Sequence, residues 1–297
     1  MPSRTQVPIA GDQARQYPGH RGTKSVTTVR SGGQMTRSAV LTHKALLRRA
    51  GPRGLIGDSS DDWSIHDISA EDTMLSMVGE FQRPLPMPEV VLIGLLAAIV
   101  VLVRTLWETA GHAETVVHES AHVLAGILTG RRILSVKIET NGGGSTDMVP
   151  KSGVGYGIAA FVGYIGASAA GLIAAGLIST GRMVVVLWLG LALFAVMLLT
   201  VRNFFGGIVI LICGTLLYLV VRYGTAGVDT AVAYGVTWFL LISGTRVAFR
   251  AAGRPRDVAD AQVLAGMTFL WRWVWCLLWL AGTIVALVIG GAILTRA

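Results

Sequence analysis

The sequence predicts an all-α polytopic membrane protein of about seven transmembrane helices, with a small β-hairpin inserted after the second. Three observations predict it. Of 297 residues, 53% are hydrophobic and only 14% charged, where a soluble domain carries about a quarter charged residues. The charges are also segregated. Residues 1–57 hold ten Lys/Arg against the single acid Asp12. Eight acids (Asp58, Asp61, Asp62, Asp67, Glu71, Asp72, Glu80, Glu89) then face Arg83 alone, and from Val91 onward the chain is apolar, with fourteen Lys/Arg and eight acids mostly at segment ends. Finally, the apolar region divides into stretches near the length of about 20 residues that a bilayer requires.

This organisation separates an N-terminal tail, residues 1–87 (basic over 1–57, acidic over 58–87), from a membrane domain over 88–297. The formal net charge of +8 is spread over both regions, and the basic stretch 1–57 has few aromatics and no helical periodicity. That composition suits a disordered segment near an anionic membrane surface better than a nucleic-acid patch, so no nucleic-acid partner is expected. The first 57 residues contain no apolar core of leader length. Met74 and Met77 stand shortly before the first span and offer an alternative start. Cys213 and Cys276 both fall in apolar runs, where two thiols build neither a disulfide framework nor a cysteine-type zinc site and read as packing residues.

Taken in order, the candidate spans are 89–107, 115–130, 153–179, 183–201, 204–222, 228–249 and 267–294. The second is short and polar, tolerable only if its neighbours enclose it. Between the second and third, Ile133–Glu139 is β-branched and partly alternating, Asn141-Gly142-Gly143-Gly144 supplies turn chemistry, and Ser145–Val149 returns as a second strand. The hairpin is either a plain connector or an edge on which an extended substrate can add a strand. The third span is rich in small residues (Gly153, Gly155, Gly157, Gly163, Gly166, Ala167, Ser168, Gly171), which let helices approach closely in lipid. With seven spans and a cytoplasmic N-terminus, nine Lys/Arg fall on inside loops against Arg182 and Arg222 outside, which favours N-in and C-out.

The second span carries His118-Glu119-Ser120-Ala121-His122. Residues four apart share a helix face, so the two imidazoles can hold one zinc ion, and Glu119 beside them is placed to take a proton from water. The bland alternative is a pair of hydrogen-bonded core histidines, less comfortable in a membrane, where ionisable groups are costly and usually functional. A catalytic zinc normally has a third protein ligand, and no His follows His122. The candidates are Asp229, Asp257, Asp260, Glu139 and Asp147, with Asn203 able to offer an amide. Glu114 shares a stripe with His118 and His122 and can orient an imidazole or simply favour the helix entry. His112, six residues from His118, points elsewhere.

The run from Leu106-Trp107 through Val116–Gly126 to Leu128-Thr129-Gly130-Arg131-Arg132 resembles the peptidase M50B-like branch of the site-2 proteases. So do Gly163-Tyr164, the Arg202-Asn203-Phe204-Phe205-Gly206 element and Ala259-Asp260-Ala261, in which the usual leading Ser is missing. Ser120 and Ala121 stand where that family commonly has two glycines. The resemblance spans about residues 88–290. It implies a zinc cofactor and selects Asp260 over Asp257 as third ligand; the functional reading of Asn203 is a donor to the tetrahedral oxyanion or the scissile carbonyl. Otherwise Asp260 reads as a helix cap or a partner of Arg254 or Arg256, and Asn203 as an interfacial cap.

The resulting expectation is an intramembrane zinc endopeptidase in a bacterial plasma membrane, with Glu119 and Asn203 catalytic, His118, His122 and Asp260 on zinc, and membrane-protein substrates. Two other classes stay in view. One is an inactive relative that binds a membrane partner. The other is a transporter, against which stand the absence of an inverted repeat and the scarcity of intramembrane charge.

Overall fold

In the computed structural model, residues 81–297 are described. The basic 1–57 stretch and all but the end of the acidic 58–87 stretch lie outside them. Helix α1 (Met87–Leu102) starts on Pro88, whose fixed φ suits a first turn. At Val103 the backbone leaves the helical region, and α2 (Arg104–Leu128) departs at 97°. Neither Pro nor Gly marks this break. Arg246 marks it instead, donating from Nη1 to Val101 O and lying 4.6 Å over the Trp107 ring. Its guanidinium satisfies a carbonyl that the break orphans.

At sixteen residues α1 is about 24 Å long, short of a bilayer core. Its path shows what the pair does. Gln82 N–H donates to Gly181 O at 2.9 Å, so α1 begins beside the connection that follows α3. From there it runs alongside α6, with Gly94 against Trp238 and Val101 against Arg246. Together α1 and α2 make a bent pair, a broken span or a re-entrant loop, that ends at the hairpin. Five further helices are each long and apolar enough to cross a membrane: α3 (Val154–Ser179), α4 (Met183–Thr200), α5 (Phe204–Tyr223), α6 (Ala226–Gly253) and α8 (Arg272–Arg296). The expected count of seven is therefore corrected to five such helices plus the broken pair. Hydropathy counted α1 and α2 as separate spans, whereas neither is long and apolar enough to cross a membrane alone. The candidate span 267–294 corresponds to α8, and the short α7 (Ala259–Met267) precedes it across an extended turn at Thr268–Trp271.

Strands β1 (Arg132–Ile138) and β2 (Gly144–Val149) form an antiparallel pair with Val136 opposite Thr146 and Ile138 opposite Gly144. Gly142, at φ +83°, makes the turn. The other edge of β1 is occupied, since Val201 bridges Val136 in parallel and Arg202 N–H donates to Val136 O at 2.9 Å. The hairpin's inward face, Val136, Ile138 and Met148, is buried.

Helix α3 is central, packing on α2, α6 and α8 through its small residues. A methyl group on Gly171 would meet Leu241 of α6, and one on Gly244 would meet Ser168. One apolar cluster joins α1, α3, α4, α6 and α8 around Tyr234 and Leu241. A second surrounds Trp279, Ala261 and Leu264 and includes Cys276, while a third ties the hairpin to α2, α4 and α5. Cys213 and Cys276 are both free thiols.

Candidate metal centre

Three elements converge on one point. His118 and His122 stand on α2 with Nε2 atoms 3.1 Å apart. Asp260, in the first turn of α7, directs Oδ2 to 3.4 Å from His122 Nε2 and 3.7 Å from His118 Nε2. Donors on a tetrahedral zinc with bonds of 2.0–2.1 Å lie about 3.3 Å from one another, and the three separations bracket that value. Glu119 brings a carboxylate oxygen within 4.8 Å of both imidazoles.

The chain supports each ring. His122 Nδ1 lies 2.8 Å from Ala159 O, a carbonyl that requires the proton on Nδ1 and leaves Nε2 as a lone-pair donor. His118 packs edge-on against Tyr164, whose own ring stacks on Trp279 at 4.4 Å, and Trp279 Nε1 donates to Phe161 O at 2.9 Å. Gly163 is demanded by contact, because a Cβ there would clash with both His122 and His118. The Gly163-Tyr164 pair thus makes room for one imidazole and buttresses the other. Since Gly163 lies nine residues into α3, the centre sits about 14 Å from the hairpin end of that helix, deep in the bundle.

The remaining candidates lie elsewhere. Asp147 pairs with Lys151 at 2.6 Å, and this partner holds the exposed ammonium above its ordinary pKa. Glu139 accepts from Asn141 Nδ2 at the hairpin tip, Asp229 sits in the first turn of α6, and Asp257 is exposed in a 3-10 turn. Neither Arg254 nor Arg256 pairs with Asp260 among the described residues; its ionic neighbours are the two histidines. Glu114 is buried on the His118 stripe without a hydrogen bond to that ring, and His112 rests against Phe205.

Asn203 is engaged with the hairpin. Its Oδ1 accepts from Ile138 N–H at 3.1 Å and its Nδ2 donates to Ile138 O at 2.7 Å, so the amide grips the outer edge of β1. Gly206 permits this grip, as a Cβ there would meet Asn203 Oδ1 at 2.7 Å. The Arg202–Gly206 element is thus a clamp on the hairpin.

One contact escaped the sequence reading. Thr146 Oγ1 donates to Glu119 Oε2 at 2.6 Å. The available signal was a lone hydroxyl on the strand face shared by Val136, Ile138 and Met148.

No curated protein and no solved structure matches the chain. The family model described as Peptidase M50B-like matches residues 91–290, two thirds of the chain and all of the elements that build this centre. With its apolar helices this makes the chain an integral membrane protein, and it belongs to the Peptidase M50B-like family.

Proposed function

We propose that the chain is an intramembrane zinc endopeptidase that hydrolyses peptide bonds of membrane-associated substrates. The observation that carries the reading is the convergence of His118 Nε2, His122 Nε2 and Asp260 Oδ2 at zinc-ligand spacing beside Glu119. When bound, zinc supplies Lewis acidity that makes water a nucleophile near neutral pH and polarises the scissile carbonyl. Glu119 accepts the proton of the attacking water and returns it to the departing amine. Tyr164, Trp279 and Ala159 O keep the imidazoles in place. Asn203 holds β1 and retains a second Nδ2 hydrogen that can be offered to the developing oxyanion. The free edge of β2 is the place for an extended substrate, because β1 is already occupied on both sides.

Orientation follows from the traverse count. Six passes place residue 82 and the C-terminus at the end of the bundle opposite the hairpin. The hairpin end carries Arg131, Arg132, Lys137, Lys151, Arg202, Arg246, Arg250, Arg254, Arg256 and Arg272, against Arg83, Arg182, Arg222 and Arg296 at the other. Charges within about 20 residues of a span set orientation, which leaves the cations of residues 1–57 out of the count. In a bacterial plasma membrane the hairpin end then faces the cytoplasm and residue 82 the outside, reversing the N-in assignment that seven passes gave. Labelling of single cysteines at positions 140 and 181 from one side of sealed vesicles tests this; reactivity of position 140 from outside would refute it.

Zinc stoichiometry on the detergent-purified protein tests the centre. About one zinc per chain is expected in the parent, lost in His118→Ala and weakened in Asp260→Ala. Absence of zinc from the parent would favour the second reading, an inactive relative that binds a membrane partner.

A further inference from the structure

We infer that Thr146 is a positioning residue for Glu119 and that strand β2 acts as a clasp joining the substrate edge to the general base. The inference rests on the peptidase reading for its functional meaning and on the hairpin alone for its geometry. Glu119 is 3% exposed, and a buried carboxylate requires donors to hold its charge and orientation. Thr146 Oγ1 provides one at 2.6 Å, from the β2 face that otherwise presents Gly144 and Met148 to α2.

The surroundings keep that hydroxyl in place. Thr115 Oγ1, one helical turn before Glu119, donates to Gly142 O at 2.9 Å and so fastens the hairpin tip to the same helix. Gly144 lets the strand close on it, since a Cβ there would meet Glu119 Oε1 at 2.5 Å and Thr115 Cγ2 at 2.8 Å. From the far side, Asn203 holds Ile138, the residue paired with Gly144.

A carboxylate has two oxygens. With Oε2 engaged by Thr146 and Oε1 packed against Gly144, rotation of the group about its last bond is restrained and the remaining lone pairs are held in a fixed direction. Among the described residues the other edge of β2 is unpaired, and it can take an incoming peptide. A peptide that adds to β2 therefore pulls on the element that sets the base, so that engagement and base alignment are one event. A bare helix carrying His-Glu-x-x-His has no such coupling.

Hydrogen exchange over residues 139–149 of the full chain in dodecylmaltoside tests the clasp, with Thr146→Val, Thr146→Ser, Glu119→Ala and the Thr146→Val/Glu119→Ala pair. Thr146→Val and Glu119→Ala are each expected to speed exchange about tenfold, with no further gain in the double variant, while Thr146→Ser restores the parent rate. Unchanged exchange in Thr146→Val, or effects that multiply in the double variant, would overturn the clasp and leave the zinc reading standing. Zinc content of the same samples reads that reading separately. Thr146→Val should keep its zinc, and a zinc-free parent with a coupled exchange cycle would sink the peptidase alone. Kinetics on a quenched-fluorescence peptide with a Leu-rich span interrupted by Gly-Pro supply the readout that plain packing would not move. Thr146→Val should lower kcat about tenfold or more at constant KM, with Ser restoring it. A rise in KM at constant kcat would make Thr146 a substrate contact and reject the positioning role.

Discussion

Helices α2 and α5 are near in length and opposite in construction. In α5 only Gly206 and Ile210 are buried, and Leu211, Ile212 and Leu216 look outward. In α2 the polar residues are the enclosed ones: Glu114, Thr115, Glu119 and His122 are buried while Leu124 and Leu128 are exposed. One helix is held by the lipid that it faces and the other by specific partners on α3, α7 and the hairpin. Substitutions should therefore be cheap on α5 and expensive around α2.

The sharpest break in that contrast is Glu119→Gln. It should lower cleavage by about 10²–10⁴ while leaving zinc content unchanged, because the amide keeps the volume and loses the base. Zinc assay beside cleavage checks it, and normal turnover would remove Glu119 from the role of base.

Next comes a matched pair of glycines. Gly163→Ala drives a methyl into both imidazoles and should cost most of the bound zinc, whereas Gly207→Ala on α5 meets nothing within 4 Å and should be silent. Equal zinc affinity in the two variants would mean that α3 yields at Gly163 and does not set the ring positions.

Smaller again is Asn203→Ala, which deletes two hydrogen bonds to Ile138. A stability loss of about 1–3 kcal/mol is expected, read as a lower unfolding midpoint with faster exchange along β1. The smallest effect belongs to Leu216→Ala, 60% exposed on α5, which should stay within about 0.5 kcal/mol in the same assay.

The contrast also explains what could be read ahead of the structure. Hydropathy located α3 to α6 and α8 within a few residues, because each of those helices satisfies its own backbone and needs only an apolar surround. It failed at Val103, where the break is held by Arg246, a residue 143 positions further along the chain. It also gave no sign of α7, the short helix that brings Asp260 to the histidines.

Within the site, the spacing of His118, Glu119 and His122 was legible because a helix puts residues four apart on one face. Asp260 was reachable only through a family resemblance, as no local rule links it to a helix 138 residues away. Asn203 was singled out for a direct part in the chemistry, and its amide is found gripping Ile138. Thr146 was missed, since a hydroxyl on a strand has meaning only once its neighbour is known.

What the amino-acid sequence determined by itself is therefore periodic and local: an all-α membrane body, a hairpin after the helix of the His-Glu-x-x-His motif, and two imidazoles on one helical face with a carboxylate beside them. The tertiary structure alone decided where the chain breaks, how Asp260 is brought to the histidines, and what engages Glu119. Those outcomes depend on contacts between segments far apart in the chain, and a burial or hydrogen-bond requirement states that a partner is needed without saying which residue supplies it.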